Sequence, residues 1–277
     1  MRRLAAVCPA LILVLAVVAS AARACTAVDW LALPLSQGPL MKTALETAYP
    51  GVVLDRPAGR LTMPDGTSLP YRGDRDATPA DRLNGATIGD MFVYVYPLAF
   101  DLAPRRQPWH DPGRVRNEAM FRALWFADRA TAEASLTRVT YARGGTRADF
   151  RVTTKHCVHA QLRAALDEIA AQGPGMDLYL QNAGGSFNWR VIAGTDRLSS
   201  HSFGIAVDFN SQLGGYWRWS GAAPGQATEF DNRFPPELVR AMERYGFIWG
   251  GKWHHFDGMH FEYRPDLILF SRLLVLN

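Results

Sequence analysis

The apolar positions in the second half of the chain follow helical spacing in two segments. Between Val158 and Ile169 they recur every three or four residues, which predicts an amphipathic helix that ends before Gly173. The stretch "FPPELVRAMERYGF" predicts another helix, with prolines in its first turn and Gly246 at its C-terminal cap. A further helix is predicted over "DPGRVRNEAMFRALWF", with Asp111 as its N-terminal cap.

Short apolar or alternating runs predict strands. "TRVTYAR" and "ADFRVTT" flank Gly144-Gly145 and predict a hairpin. The other predicted strands are "DMFVYVYPLAF", "MDLYLQ", "FNWRVIAG", "FGIAVDF", "FIWGG" and "MHFEY". Because these strands mix with helices without regular βαβ alternation, we expect an α+β fold with a small antiparallel sheet and flanking helices. Residues 26 to about 110 are rich in Pro, Gly, Asp and Arg, which predicts a loop-rich N-terminal region.

The N-terminus carries a targeting pattern. Arg2-Arg3 precedes an apolar run from Leu4 to about Ala21, and Ala22-Arg23-Ala24 is typical of a cleavage site. Residues 1–24 are therefore predicted to be a secretory signal peptide. An N-terminal membrane anchor is the alternative, although the run is short for a spanning helix. We expect an exported protein that is periplasmic, or extracellular and associated with the cell wall.

Composition and charge narrow the function classes. A hydrophobic content of 48%, a charged content of 20% and a net charge of +4 are ordinary for a soluble globular protein. The arginines are scattered and form no run typical of a nucleic-acid-binding surface, so no nucleic-acid partner is predicted.

Three cysteines are present, and Cys8 would leave with the signal peptide. Cys25 and Cys157 then remain as an even pair, which makes one disulfide plausible in an exported protein. Lipidation of Cys25 is the alternative, although Arg23 fits a lipidation signal poorly.

The stretch "SSHSFGIAVDFN" combines a histidine with a carboxylate in apolar surroundings. Gly204 and the β-branched Ile205 and Val207 argue against a helix. The better interpretation is a loop that holds His201, a turn at Gly204, and a strand that directs Asp208 into a cleft beside His201. A carboxylate in such a strand is costly unless it is paired or bound to a metal.

A second group lies in "WHHFDGMHFEY". His260 and Glu262 share one face of a predicted strand, and a turn at Gly258 can bring Asp257 over that face. Two imidazoles and a carboxylate suit zinc with an open fourth position. Asp257 could then serve as a general base. The adjacent His254 and His255 are expected to line the cleft or to be exposed.

The pattern SxHxxGxAxD followed by DxxHFE resembles the zinc D-alanyl-D-alanine carboxypeptidase and L-alanyl-D-glutamate peptidase family. These are bacterial cell-wall enzymes that share a fold with hedgehog signalling domains. The resemblance covers roughly residues 150–265. "GGSFNWRVIAGTDRLSSHSFGIAVDFN", "GFIWGGKWHHFDGMHFEYRP" and "DPGRVRNEAMF" are similar to one subgroup of D-alanyl-D-alanine carboxypeptidases.

The resemblance implies a role for individual residues. His201, Asp208 and His260 match the zinc ligands, and Asp257 matches the catalytic acid and base. Arg190 matches the arginine that holds the substrate or the developing oxyanion, with Arg197 as the rival. Ser200 matches a position that helps to bind substrate, and Glu262 would lie beside a ligand imidazole or the substrate's amino group. Arg197 and Trp253 are further candidates for substrate binding.

Together these features predict an exported zinc peptidase of peptidoglycan stem peptides, in the first place a D-alanyl-D-alanine carboxypeptidase. An L-alanyl-D-glutamate endopeptidase and a non-catalytic zinc or peptidoglycan-binding module are the alternatives. We expect residues 25–145 to form an accessory region and residues 146–277 the zinc-binding catalytic domain.

Overall fold

The computed structural model describes residues 25–71, 76–227 and 229–276, so the predicted signal peptide at 1–24 lies outside the described residues. The α-helices are α1 (Leu40–Ala48), α2 (Pro79–Asn84), α3 (Glu118–Leu124), α4 (Arg129–Ala134), α5 (Val158–Ala171), α6 (Asp177–Leu180), α7 (Ser211–Gly214), α8 (Pro236–Arg244) and α9 (Pro265–Leu276). The strands are β1 (Val53–Asp55), β2 (Arg60–Thr62), β3 (Ser68–Pro70), β4 (Leu136–Arg143), β5 (Thr146–Thr153), β6 (Ala183–Gly185), β7 (Ala206–Asn210), β8 (Phe247–Trp249) and β9 (His260–Tyr263).

The strands form three antiparallel sheets. β1, β2 and β3 form a small sheet, β4 and β5 form a hairpin, and the largest sheet has the order β6-β7-β9-β8. β7 and β9 are its two central strands, and they are buried along almost their whole length. The predicted α+β class with a small antiparallel sheet and flanking helices is confirmed.

The strongest periodic patterns correspond to observed elements. The predicted hairpin is β4–β5, the amphipathic helix is α5, and the helix before Gly246 is α8. The predicted strands at "FGIAVDF", "FIWGG" and "MHFEY" are β7, β8 and β9.

Three strand predictions are wrong. "DMFVYVYPLAF" begins with a 3-10 turn at Gly89–Phe92, because Asp90 and Thr87 satisfy each other's backbone N–H groups locally. "MDLYLQ" contains α6, which follows the turn that begins at Pro174. "FNWRVIAG" is irregular, since the Arg190 N–H donates to Ser202 Oγ rather than to a neighbouring strand.

The helix predicted from Asp111 begins later. Asn117 caps α3 by accepting a hydrogen bond from the Met120 N–H. Asp111 instead accepts two hydrogen bonds from His255, one from the backbone N–H and one from Nδ1. Asp111 therefore makes a tertiary contact with His255 instead of capping the helix as the sequence had suggested.

One hydrophobic core contains residues from both expected regions, the accessory region at 25–145 and the catalytic domain at 146–277. Its cluster includes Leu45 and Phe121 from the N-terminal region and Phe203 and Phe261 from the later part of the chain. A disulfide also connects the two parts, with a Cα–Cα distance of 5.4 Å between Cys25 and Cys157. The loop-rich N-terminal region thus contains α1, α2 and the β1–β3 sheet, and it is packed against the part of the chain that carries the candidate site.

Throughout the three described ranges, the helices lack the combination of length and apolarity required to span a bilayer.

Candidate metal centre and active site

His201 lies in a short 3-10 turn, Ser200–Phe203, which leads directly into β7. The turn ends at Gly204, whose φ of 66° is in the left-handed region. A Cβ atom there would lie 2.7 Å from the Leu136 side chain and 3.0 Å from the backbone nitrogen of Thr153. The glycine therefore allows the turn to pack closely against the β4–β5 hairpin while His201 points into the cavity.

The pairing of β7 with β9 brings two further candidate ligands, Asp208 and His260, together. Asp208 is directly opposite His260 in the register, and Ala206 is opposite Glu262. Since directly opposite residues project to the same face of an antiparallel pair, both side chains reach the same side of the sheet. The candidate ligands thus come from one turn and two adjacent strands.

Three potential ligand atoms converge at this point. His201 Nε2 lies 3.2 Å from Asp208 Oδ1, His260 Nδ1 lies 3.0 Å from the same oxygen, and the two ring nitrogens are 3.1 Å apart. The edges of a tetrahedral zinc site with bonds of 2.0–2.1 Å measure about 3.3 Å. The observed triangle is close to that size.

In each of the two histidines, the hydrogen-bond partner of the nitrogen that points away from Asp208 indicates which nitrogen can bind a metal ion. His201 Nδ1 lies 2.5 Å from the carbonyl oxygen of Ser186, and His260 Nε2 lies 3.2 Å from Glu262 Oε2. Both of these oxygens are acceptors, so each outer nitrogen is assigned a proton, and the inner nitrogen is the one that can offer a lone pair to a metal ion, which would displace any proton held there. Two imidazole lone pairs and a carboxylate oxygen then face one another, an arrangement that fits a cation such as zinc.

The electrostatics of the buried cluster favour positive charge. Burial by itself lowers the pKa of His260, but the hydrogen bonds to Asp208 and Glu262 outweigh it and raise that pKa to about 10. Burial raises the pKa of Asp208, but the neighbouring His201 and His260 outweigh it and hold that pKa well below its usual range. The cluster therefore stabilises a charged carboxylate beside a cation.

Asp257 lies at the edge of the same cluster. Its backbone N–H donates to the Gly250 carbonyl at 3.0 Å, and its own carbonyl accepts from the His260 N–H at 3.1 Å. The next residue must be glycine, because a Cβ atom at Gly258 would lie 1.8 Å from the Gly214 carbonyl oxygen. Burial raises the pKa of the Asp257 carboxyl more than the nearby His260 lowers it. A carboxyl with a raised pKa is suited to exchange protons as a general acid and base.

Glu262 and Ser200 contact His260 on the side away from the other ligands. Glu262 Oε2 is 3.2 Å and Ser200 Oγ is 3.3 Å from His260 Nε2. Although burial raises the pKa of Glu262, the hydrogen bond to His260 and the charge of Arg116 lower it to about 2. Glu262 is therefore an anionic acceptor that can hold the imidazole in one orientation.

The cluster opens into a cavity of about 260 Å³. The predicted substrate-binding residues Ser200, Arg197 and Trp253 line it, as does Arg190. Arg190 is exposed at the cavity, whereas Arg197 is buried. Tyr216 and Trp219 complete one wall.

Two arginines that were not among the predicted site residues also line the cavity. Arg114 Nη2 lies 3.9 Å from Asp257 Oδ2, and Arg116 Nη1 lies 3.7 Å from Glu262 Oε2. Both belong to "DPGRVRNEAMF", the stretch that carries part of the family resemblance. The family resemblance of this segment was the one feature of the sequence that could have indicated these arginines, because the segment contains no pattern typical of a metal or substrate site.

His254 and His255, the paired histidines before Asp257, are buried and do not line the cavity, so the expectation that they line the cleft or are exposed is wrong. The Nδ1 of His254 is 2.9 Å from the Arg105 carbonyl oxygen. His255 Nδ1 is 2.6 Å from Asp111 Oδ2, and its Nε2 accepts a hydrogen bond from the Gly225 N–H. His255 therefore connects the segment before α3 with the loop that carries the aromatic wall.

A family model described as D-alanyl-D-alanine carboxypeptidase matches residues 193–263. The match confirms the resemblance to the zinc D-alanyl-D-alanine carboxypeptidase family, and it supports peptidase activity. The matched segment contains His201, Asp208, Asp257 and His260, whereas Arg114 precedes it. No curated protein and no solved structure matches the chain.

Proposed function

We propose that this protein is an exported zinc peptidase that removes the terminal D-alanine from peptidoglycan stem peptides. The observation that carries the proposal is the convergence of three metal-binding atoms from His201, Asp208 and His260 beside Asp257. The family match supports the same reaction class.

Each site residue receives a role in this proposal. Zinc, when bound, supplies Lewis-acid polarisation and a more acidic water. Asp257 accepts a proton from the attacking water and returns it to the leaving amine. Arg190 stabilises negative charge that develops on the scissile carbonyl oxygen. Glu262 and Ser200 hold His260 in the orientation that keeps its Nδ1 free.

The charge of the cavity favours an anionic peptide. Four arginines line it, and the carboxylates among its lining residues are Asp208, Asp257 and Glu262. The addition of a divalent cation makes the site more positive. A peptide with a free carboxylate next to the scissile bond complements this charge.

Digestion of purified stem peptides by the zinc-loaded protein tests the proposal. We expect mass spectrometry to show the loss of one D-alanine from each pentapeptide. Release of the whole stem would instead identify an L-alanyl-D-glutamate endopeptidase. Stoichiometric zinc without any cleavage would identify a non-catalytic binding module, and absence of zinc from the folded protein would overturn the metal site.

The Asp257→Asn variant tests the assignment of the base. We expect it to retain zinc but to lose activity by a factor of about 10² or more, because general acid–base catalysis contributes at least that much. Asp231→Asn is the matched control, since that carboxylate is exposed and pairs with Arg233 away from the cavity. Undiminished turnover by Asp257→Asn would show that another group is the base.

A further inference from the structure

Three arginines in the cavity each keep a buried nitrogen without a hydrogen-bond partner among the described residues. These atoms are Arg114 Nη2, Arg116 Nη1 and Arg197 Nε. Buried donors are rarely left unpaired in folded proteins, so such atoms point to a missing ligand. Arg116 Nη1 lies 3.7 Å from Glu262 Oε2 and Arg114 Nη2 lies 3.9 Å from Asp257 Oδ2, so each faces a carboxylate beyond hydrogen-bond distance. Glu262 contacts the outer nitrogen of His260, whereas Asp257 is the proposed base, so Arg114 and its neighbour Arg197 are the pair considered for a substrate group.

These two arginines are neighbours. Arg197 Nη1 donates a hydrogen bond to the Arg114 carbonyl oxygen at 2.9 Å. The Arg197 side chain is almost entirely buried, with 6% of the residue exposed. Burial lowers the pKa of Arg197 to about 10, and the charges of Arg116 and Arg114 contribute to this shift. Both side chains line the same cavity, so an anion bound there would offset these positive charges.

The Arg114 side chain is held rigidly. Its Nε donates to the His255 carbonyl at 2.7 Å, and its guanidinium lies 4.7 Å from the centre of the Trp253 ring. Its backbone N–H donates to the Asp111 carbonyl, and Asp111 is in turn fixed by His255. A guanidinium positioned in this way loses little conformational entropy when it binds a ligand.

The position of Arg114 relative to Asp257 indicates which part of the substrate it meets. Arg114 Nη2 is 3.9 Å from Asp257 Oδ2. In the proposed reaction Asp257 returns its proton to the leaving amine. In a leaving amino acid, the amine and the carboxylate are attached to the same α-carbon. A cation beside Asp257 is therefore placed to meet the carboxylate of the leaving residue.

We propose that Arg114 and Arg197 form a carboxylate subsite that binds the free C-terminal carboxylate of the leaving amino acid. This inference rests on the proposed function, and it makes the site selective for removal of a terminal residue. Guanidinium groups bind carboxylates through two parallel hydrogen bonds, which an amidated terminus cannot reproduce. Arg114 precedes the segment that matches the family model, so the N-terminal region supplies part of the specificity.

Peptide binding separates this subsite from the chemistry. The probe is a stem peptide ending in D-Ala-D-Ala, with its C-terminus either free or amidated. Affinities are measured by calorimetry on the zinc-loaded protein carrying Asp257→Asn, which prevents turnover. We expect the free acid to bind more tightly, and Arg114→Gln or Arg197→Gln to weaken its binding by about tenfold to a hundredfold. Binding of the amide should change little.

Two controls exclude a general loss of structure. Arg114→Lys keeps the charge but loses the planar fork, so we expect an intermediate affinity. Arg138→Gln removes an exposed arginine from β4 and should leave both affinities unchanged. Zinc content and circular dichroism are compared across all variants.

The outcomes distinguish the two proposals. If Arg114→Gln and Arg197→Gln leave the ratio of free-acid to amide affinity unchanged, the subsite is wrong, whatever the activity of the protein. The same conclusion follows if the active protein cleaves amidated and free peptides equally well. If the ratio collapses in these variants while the parent protein cleaves neither peptide, the subsite is supported and the proposed peptidase function fails.

Discussion

The hydrogen bonds on the outer side of each imidazole determine what the inner side can do. Ser186 O fixes His201, and Glu262 fixes His260, so that Nε2 of one ring and Nδ1 of the other meet at Asp208. Partners of this kind raise the basicity of a ligand and set its orientation. The two rings present different nitrogens because Ser186 O lies against Nδ1 of His201, whereas Glu262 lies against Nε2 of His260.

Glu262→Gln should weaken zinc binding by about tenfold to a hundredfold, since an outer partner of a ligand imidazole typically contributes that much. The substitution keeps the size of the side chain and removes its charge, which also leaves Arg116 without its nearest carboxylate. Competition with a zinc chelator measures the change. Glu133→Gln on α4 is the control, because Glu133 pairs with Arg129 on the surface. An unchanged affinity in Glu262→Gln would show that this contact does not tune the site.

The single residues of the site were predictable to different degrees. His201, Asp208, Asp257 and His260 stand in two compact motifs, so the sequence selected them as candidates, and the structure brings all four to one cavity. Arg114 could not be selected, because its proposed role depends on a packing contact with Trp253 and on a distance to Asp257 that are set across more than a hundred residues of chain.

At the scale of secondary structure, the register between β7 and β9 decides whether the site exists. Asp208 and His260 are directly opposite, so a shift by one residue would turn one of them to the other face of the sheet. The opposite faces of these strands carry Val207 and Phe261, which are fully buried in the core. The hydrophobic core therefore fixes the same register that the candidate ligands need.

Gly204 joins the His201 turn to β7, and Gly204→Ala should lower the free energy of unfolding by about 1–3 kcal/mol or more. The substitution forces a left-handed φ on alanine and also brings its Cβ within 2.7 Å of Leu136. Gly145→Ala is the matched control, because Gly145 has a φ of 84° but nothing within 4 Å of its Cβ position.

Urea denaturation of both variants separates the cost of the backbone conformation from the cost of crowding. We expect Gly204→Ala to lose the greater stability and also to bind zinc more weakly, since His201 precedes it in the turn. Equal losses in the two variants would mean that the close approach to Leu136 contributes nothing.

Helices and strands with a clear hydrophobic period along the sequence were predicted correctly. Short turns that depend on local side-chain hydrogen bonds were mistaken for strands. α5 and the β4–β5 hairpin have patterns long enough to specify their type. The Gly89–Phe92 turn lies in an apolar, β-branched stretch that favours a strand. Reciprocal hydrogen bonds between Asp90 and Thr87 instead stabilise a turn at this point. Tyr96 from the same stretch donates to Glu243 in the core, a contact that no local pattern reveals.

At the scale of the whole molecule, the N-terminal region and the later part of the chain behave as one packing unit. α1 packs against α9, where Tyr49 donates a hydrogen bond to Asp266 at 2.8 Å. The core cluster runs through both parts, and Arg114 reaches the candidate base from the N-terminal side. The two parts differ in composition, which suggested an accessory region and a catalytic domain, but composition does not show how they pack against each other.

Removal of the disulfide should destabilise this unit. Cys25 and Cys157 are 132 residues apart in sequence, and the loss of a native disulfide typically costs about 2–5 kcal/mol. We expect the double variant Cys25→Ser, Cys157→Ser to unfold at a lower urea concentration than the parent protein. A reducing agent should lower the midpoint of the parent but not that of the double variant. Equal midpoints for the double variant and the parent protein would show that the bond adds no stability.

The position of β9 in the chain has a consequence for biosynthesis. A nascent chain that has not yet reached His260 has neither the third candidate ligand nor the strand that pairs with Asp208. Arg114, His201 and Asp208 all emerge earlier, but they form no complete site until β9 inserts between β7 and β8. A chain that ends before β9 therefore lacks part of the candidate metal site, and we expect it to bind no metal ion at this position.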